Sequence, residues 1–169
     1  MMIKTVLIVA LLISLITDIK NRKILNIVTT PSVLFALFYY TTTLGLEGFV
    51  FSIKGFGVGL GLLLIPYMLG GMGAGDVKLM AAIGALMGTS FVFYCFLYTA
   101  LIGGLIALMI ILKQKGLVIT IKTFFYKIVF FQSNVGSIVL KKENQTGISF
   151  PYGVAIVLGT LFTLVWGGF

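Results

Sequence analysis

Apolar runs long enough to cross a lipid bilayer, joined by short polar links, leave this chain few ways to fold. Hydrocarbon offers no water to an exposed backbone N–H or C=O, so a spanning segment must satisfy its own, as a helix of about 20 apolar residues does. Met1 to Thr17, Ile24 to Leu44, Ser52 to Leu69, Val77 to Gly88, Phe91 to Leu112 and Phe150 to Phe169 read as such segments, the fourth being short. The expectation is an all-α integral membrane protein with six transmembrane helices, forming a single membrane-embedded domain over 1–169. With 60% hydrophobic and 9% charged residues, the chain would bury its apolar surface in lipid and against its own helices.

Several local features refine this outline. The first run lacks a small-x-small cleavage site and is followed by basic residues, which predicts a retained helix. Pro31 falls in the first turns of the second segment, where proline is tolerated, and Gly45, Glu47 and Gly48 mark the link to the third. In the third, Gly55/Gly59 and Gly57/Gly61 form two interleaved G-x-x-x-G pairs on different faces, a spacing that lets helix backbones approach closely in lipid. Ala81, Gly84, Ala85 and Gly88 supply a matching small-residue face on the fourth. Pro66 predicts a kink just before a glycine-rich joint, Gly70 to Gly75, and a tight turn is expected at Gly88-Thr89-Ser90. Leu117 to Phe131 is too short and too lysine-rich to span. Thr120, Lys122, Thr123, Tyr126 and Lys127 fall on one arc opposite Leu117, Ile121, Phe124, Phe125 and Ile128, so an interfacial amphipathic helix between the fifth and sixth crossings is expected.

Charge placement gives the topology. If the link after the first helix faces inward, Lys20, Arg22, Lys23, Lys78, Lys113, Lys115, Lys122, Lys127, Lys141 and Lys142 are inside, and only Lys4 and Lys54 are outside. That asymmetry follows the positive-inside rule, and it explains the net charge of +8 by lipid and topology rather than by a nucleic-acid partner.

Composition also excludes chemistry. The chain has no histidine and one cysteine, Cys95, set among aromatic residues and expected to be packing. A histidine-served nucleophile, an H-E-x-x-H metalloprotease, a Cys-x-x-Cys zinc module and an internal disulfide are all ruled out. No metal or cofactor is expected.

Four acidic residues are present, and two of them, Asp18 and Asp76, stand at membrane boundaries. Two crossings separate them, so both fall on the same, cytoplasmic, face. Taken singly, Asp76 could cap the helix that begins at Val77, and Asp18 could be a counter-ion for Lys20, Arg22 or Lys23. Taken together, two carboxyls at one membrane edge can activate a water for amide hydrolysis, one ionised as base and the other protonated as acid. Close approach enforces that division, because like charges push one of the two titrations upward. Gly73 and Gly75, without side chains, would let a substrate backbone lie near Asp76. Lys78 and Lys20 are expected to snorkel to the headgroups and leave the carboxyls alone.

At these residues the chain resembles the type IV prepilin peptidases, aspartic membrane proteases that remove prepilin leader peptides. Gly73-Ala74-Gly75-Asp76 matches the G-x-G-D motif, and Gly71 to Leu79, including Lys78, follows its extended form. Asp18, followed by Lys20, Arg22, Lys23, Ile24 and Asn26, resembles the first catalytic motif, with Leu25 where proline is usual. Pro151-Tyr152-Gly153 resembles the family's motif near the last helix. The resemblance implies that Asp18 and Asp76 are a catalytic dyad, with Gly73, Gly75, Lys78, Pro151, Tyr152 and Gly153 in support. It implies cleavage at the cytoplasmic face of the plasma membrane, just before a prepilin's hydrophobic helix. The family's larger members carry a Cys-x-x-Cys insertion associated with N-methylation; its absence here implies a peptidase without methyltransferase activity, similar to those serving Flp-type pili and to archaeal preflagellin peptidases.

Two other readings use the same residues. A small ion-coupled transporter or channel subunit could employ Asp18 and Asp76 as ion or proton ligands, and would depend on an ion gradient. An assembly scaffold docking partners through its glycine-rich helices would work unchanged with asparagine at both positions.

Overall fold

The computed structural model describes residues 2–21, 24–69, 71–115 and 152–167. Every element among them is a helix: α1 Met2–Asn21, α2 Asn26–Met68, α3 Ala74–Met87, α4 Thr89–Lys115 and α5 Tyr152–Trp166. The chain divides into a unit of residues 1–103 with 150–169, which holds both Asp18 and Asp76, and a unit of residues 104–149. The amphipathic stretch expected over 117–131 lies outside the described residues.

Three helices, α1, α2 and α4, are long and apolar enough to cross a membrane. At 1.5 Å per residue, a straight α2 of 43 residues would run about 65 Å, twice the hydrocarbon thickness. It does not run straight. Gly45, at φ 65° and ψ −140°, is the one non-helical residue within it, a conformation that glycine reaches without a Cβ clash. The chain doubles back there. The rings of Tyr40 and Phe51 stand 4.9 Å apart, and Thr30 and Leu34 share a groove with Phe56 and Leu60. The expected link therefore reduces to Gly45 alone; Glu47 and Gly48 already belong to the second arm. Helical structure continues through Pro66 and stops at Met68.

The short helix α3 is the centre of the unit. From Asp76 to Leu86 all of its residues but Lys78 are buried, as a helix apolar on every side must be. It packs on α1, α2 and α5. The small-residue faces expected to meet do so. A Cβ on Gly55 would run into the Gly84 carbonyl, a Cβ on Gly84 into that of Gly55, and Gly59 backs onto Met80 and Ala81. Polar groups tie the same seam: Ser52 Oγ donates to the Ala85 carbonyl at 2.9 Å, and Tyr40 Oη to that of Leu86 at 2.9 Å. The second glycine pair, Gly57 and Gly61, has nothing within 4 Å of where a Cβ would sit.

Three boundaries differ from expectation. Helix α1 runs on to Asn21, so Asp18 lies within its last turn rather than in the following link. Helix α3 begins at Ala74 rather than Val77, because Gly73, extended at φ −82° and ψ 149°, is its N-cap. The turn between α3 and α4 is a single residue, Gly88 at φ 86°, with the Phe51 ring filling the space a Cβ would need. Helix α5, at 15 residues, is shorter than the crossing expected of it, whereas α3, at 14, is slightly longer than the short segment expected there. Cys95 is buried against Thr160 Oγ1 at 3.1 Å, the packing role expected.

Candidate active site

Helix α1 ends where α3 and α5 begin, and a cleft of about 340 Å³ opens at that junction, lined by Asp18, Ile24, Asn26, Gly73, Ala74, Gly75, Asp76 and Lys78. Two helix N-termini, each carrying partial positive charge, thus meet one helix C-terminus at a pair of carboxyls.

Asp76 is set by its own helix. As the third residue of α3 it reaches back, Oδ2 accepting from the Gly73 amide at 3.1 Å, while its own amide donates to the Gly73 carbonyl at 3.1 Å. It is therefore part of a capping arrangement without being the N-cap itself. The side chain is 8% exposed. Burial pushes its pKa up to about 6; the Gly73 hydrogen bond pulls the other way, and the charge of Asp18 adds a further upward push. The two carboxyls are thus within each other's field.

Asp18 is set by another helix. Its side chain is 5% exposed and faces the amides of Gly153 and Val154, the first turn of α5. Its Oδ2 oxygen has no hydrogen-bond partner among the described residues. A Cβ on Gly153 would lie 2.5 Å from that oxygen and 2.9 Å from Cγ, so glycine is the residue that fits.

The supporting residues divide. A Cβ on Gly75 would come within 2.9 Å of Ile24 Cβ and 3.3 Å of the Ile24 backbone. Gly75 thus lies against the segment entering α2, and it lines the open cleft together with Gly73. Lys78 Nζ donates to Asn26 Oδ1 at 2.9 Å. The Tyr152 phenol packs on Gly103, where a Cβ would sit 3.0 Å from Oη, and lies within electrostatic range of Asp76. Pro151 is outside the described residues. Ile24 and Asn26, which carry no role in the sequence reading beyond their place in a motif, form a wall of the cleft, and nothing in the sequence pointed to Gly103. Among the described residues no group of three His, Cys, Asp or Glu side chains could hold a metal ion.

Two buried carboxyls in one cleft can divide a single proton and serve as acid and base on a water. A family model described as the type IV leader peptidase family matches residues 5–108, well over half of the chain. The chain belongs to the type IV leader peptidase family. The matched span contains Asp18, Asp76 and Gly73 to Lys78, whereas Tyr152 and Gly153 lie beyond it. Membership makes this leader peptidase homologue a peptidase, hence a hydrolase, with pilin-like substrates, and its three long apolar helices fit a membrane protein. No curated protein and no solved structure matches the chain.

Proposed function

We propose that this protein is a membrane aspartic endopeptidase that removes the leader of a type IV prepilin-like substrate at the cytoplasmic face of the plasma membrane. The observation that carries the reading is the shared cleft, which holds Asp18 and Asp76 within each other's field. The ionised member takes a proton from water as the oxygen attacks the scissile carbonyl carbon, and the protonated member donates to the carbonyl oxygen. Collapse of the tetrahedral intermediate breaks the C–N bond and passes a proton to the leaving amine. Gly73, Gly75, Lys78, Pro151, Tyr152 and Gly153 shape this site, and neither cofactor nor metal takes part. The inward excess of basic residues supports the cytoplasmic side. The substrate's new N-terminus is left unmethylated.

The test is reconstitution in vesicles with no ion gradient, together with a pilin-like polypeptide, and mass analysis of the products. Loss of the leader at one bond is the expected result. An intact substrate, alongside ion flux that follows an imposed gradient, would instead favour the transporter reading of the same carboxyls.

A further inference from the structure

The buried face of α1 is Leu7, Ala10, Leu11, Ser14 and Asp18, and it carries a polar group where the pattern calls for an apolar one. Ser14 is 1% exposed, and its hydroxyl has no hydrogen-bond partner among the described residues. A buried serine in a helix commonly donates to the carbonyl four residues earlier, as Ser32 does to Val28 in α2 at 2.7 Å. Ser14 does not. Such a group costs on the order of 1–3 kcal/mol when left unsatisfied, so its place on a core face asks for a reason.

The second orphaned oxygen on that face is Asp18 Oδ2. Residues four apart on a helix are neighbours, with Cβ atoms about 5–6 Å from one another. Helical side chains also lean toward the N-terminus, so the Asp18 carboxyl lies back over the turn that carries Ser14. Gly153 walls the carboxyl on its α5 side, and the turn below offers Oδ2 the unpartnered Ser14 hydroxyl as a donor. One bridging water between two buried oxygens on successive turns of a helix satisfies both.

We infer that Ser14 is a positioning residue for Asp18: its hydroxyl holds, through one bound water, the Oδ2 oxygen that has no partner among the described residues. The bridge fixes the carboxyl's rotation toward Asp76 and gives the orphaned pair on α1 a common partner. This role rests on Asp18 being a member of the catalytic pair, and the experiment separates the two claims.

The carboxyl bands of Asp18 are identified in the infrared spectrum of the intact protein by their loss in Asp18→Asn, then followed in Ser14→Ala, in Ser14→Thr, which keeps the hydroxyl, and in Leu11→Ala, a cavity on the same face. Ser14→Ala is expected to move the Asp18 bands, Ser14→Thr to restore them and Leu11→Ala to leave them in place. In the cleavage assay Ser14→Ala is expected to lower kcat by about tenfold with KM unchanged, the size of effect a misaimed catalytic group produces. Asp18 bands that do not respond to Ser14→Ala, or that respond equally to Leu11→Ala, would overturn the inference. Bands that move in a protein that cleaves nothing would uphold it and count against the peptidase reading instead.

Discussion

The two carboxyls reach one cleft by unlike routes. Asp76 is held by groups three residues away, the Gly73 amide and carbonyl at the head of its own helix. Asp18 is held from across the fold, by the first turn of α5 more than 130 positions on, through the bare α-carbon of Gly153 and the amides that follow. A locally built acid keeps its geometry as long as one helix forms. An acid built at long range depends on how two helices dock, and is the more easily misaimed.

The largest effect tests what the two have in common. Asp18→Asn and Asp76→Asn should each lower leader cleavage by at least about a thousandfold, since groups that act as a unit fail as a unit. A variant of either that keeps most of its activity would break the pairing. Glycine substitutions probe the difference between the routes. Gly153→Ala puts a methyl 2.5 Å from Asp18 Oδ2, whereas at Gly73 the corresponding distance to Asp76 Oδ2 is 3.3 Å. Cleavage should fall about a hundredfold in the first and only a few-fold in the second. Equal losses would mean that Asp18 is no more dependent on docking than Asp76.

The smallest effect belongs to Asp76 and appears in stability. Its carboxyl keeps a proton up to about pH 6 in the folded protein, whereas the ordinary value is 3.8. The folded state therefore binds more protons in that window. Stability is fully present below 3.8, declines as pH rises through about 6, and loses roughly 2–3 kcal/mol in all. Thermal unfolding in detergent from pH 3.5 to 7.5 should show this decline, and Asp76→Asn should flatten it.

The same contrast explains what could be read from sequence. The surroundings of Asp76 are contiguous, so the glycine joint, the helix after it and the seam of Gly55 and Gly59 against α3 were legible from spacing and small-residue pattern. The surroundings of Asp18 were not, because which glycine faces it depends on docking, and only the resemblance brought Gly153 forward. Helix ends misled for a related reason. Gly73 caps α3 through its backbone, so the more obvious capping side chain, Asp76, suggested a start three residues late. At Gly75 the space a Cβ would need is filled by Ile24, a neighbour that hydropathy could not name. The six expected crossings rested on apolar length, and that measure fits α1, α4 and the two arms of α2 better than the 14-residue α3, most of which is buried by protein.

A shared catalytic site requires the two carboxyls to sense each other's charge, and the titration of Asp76 reads this directly. With the carboxyl bands of Asp76 followed by infrared spectroscopy across pH, replacing Asp18 by asparagine removes a negative charge at little change in volume. Asp76 is then expected to titrate below its value of about 6. A midpoint unchanged in Asp18→Asn would mean that the two acids do not share a site.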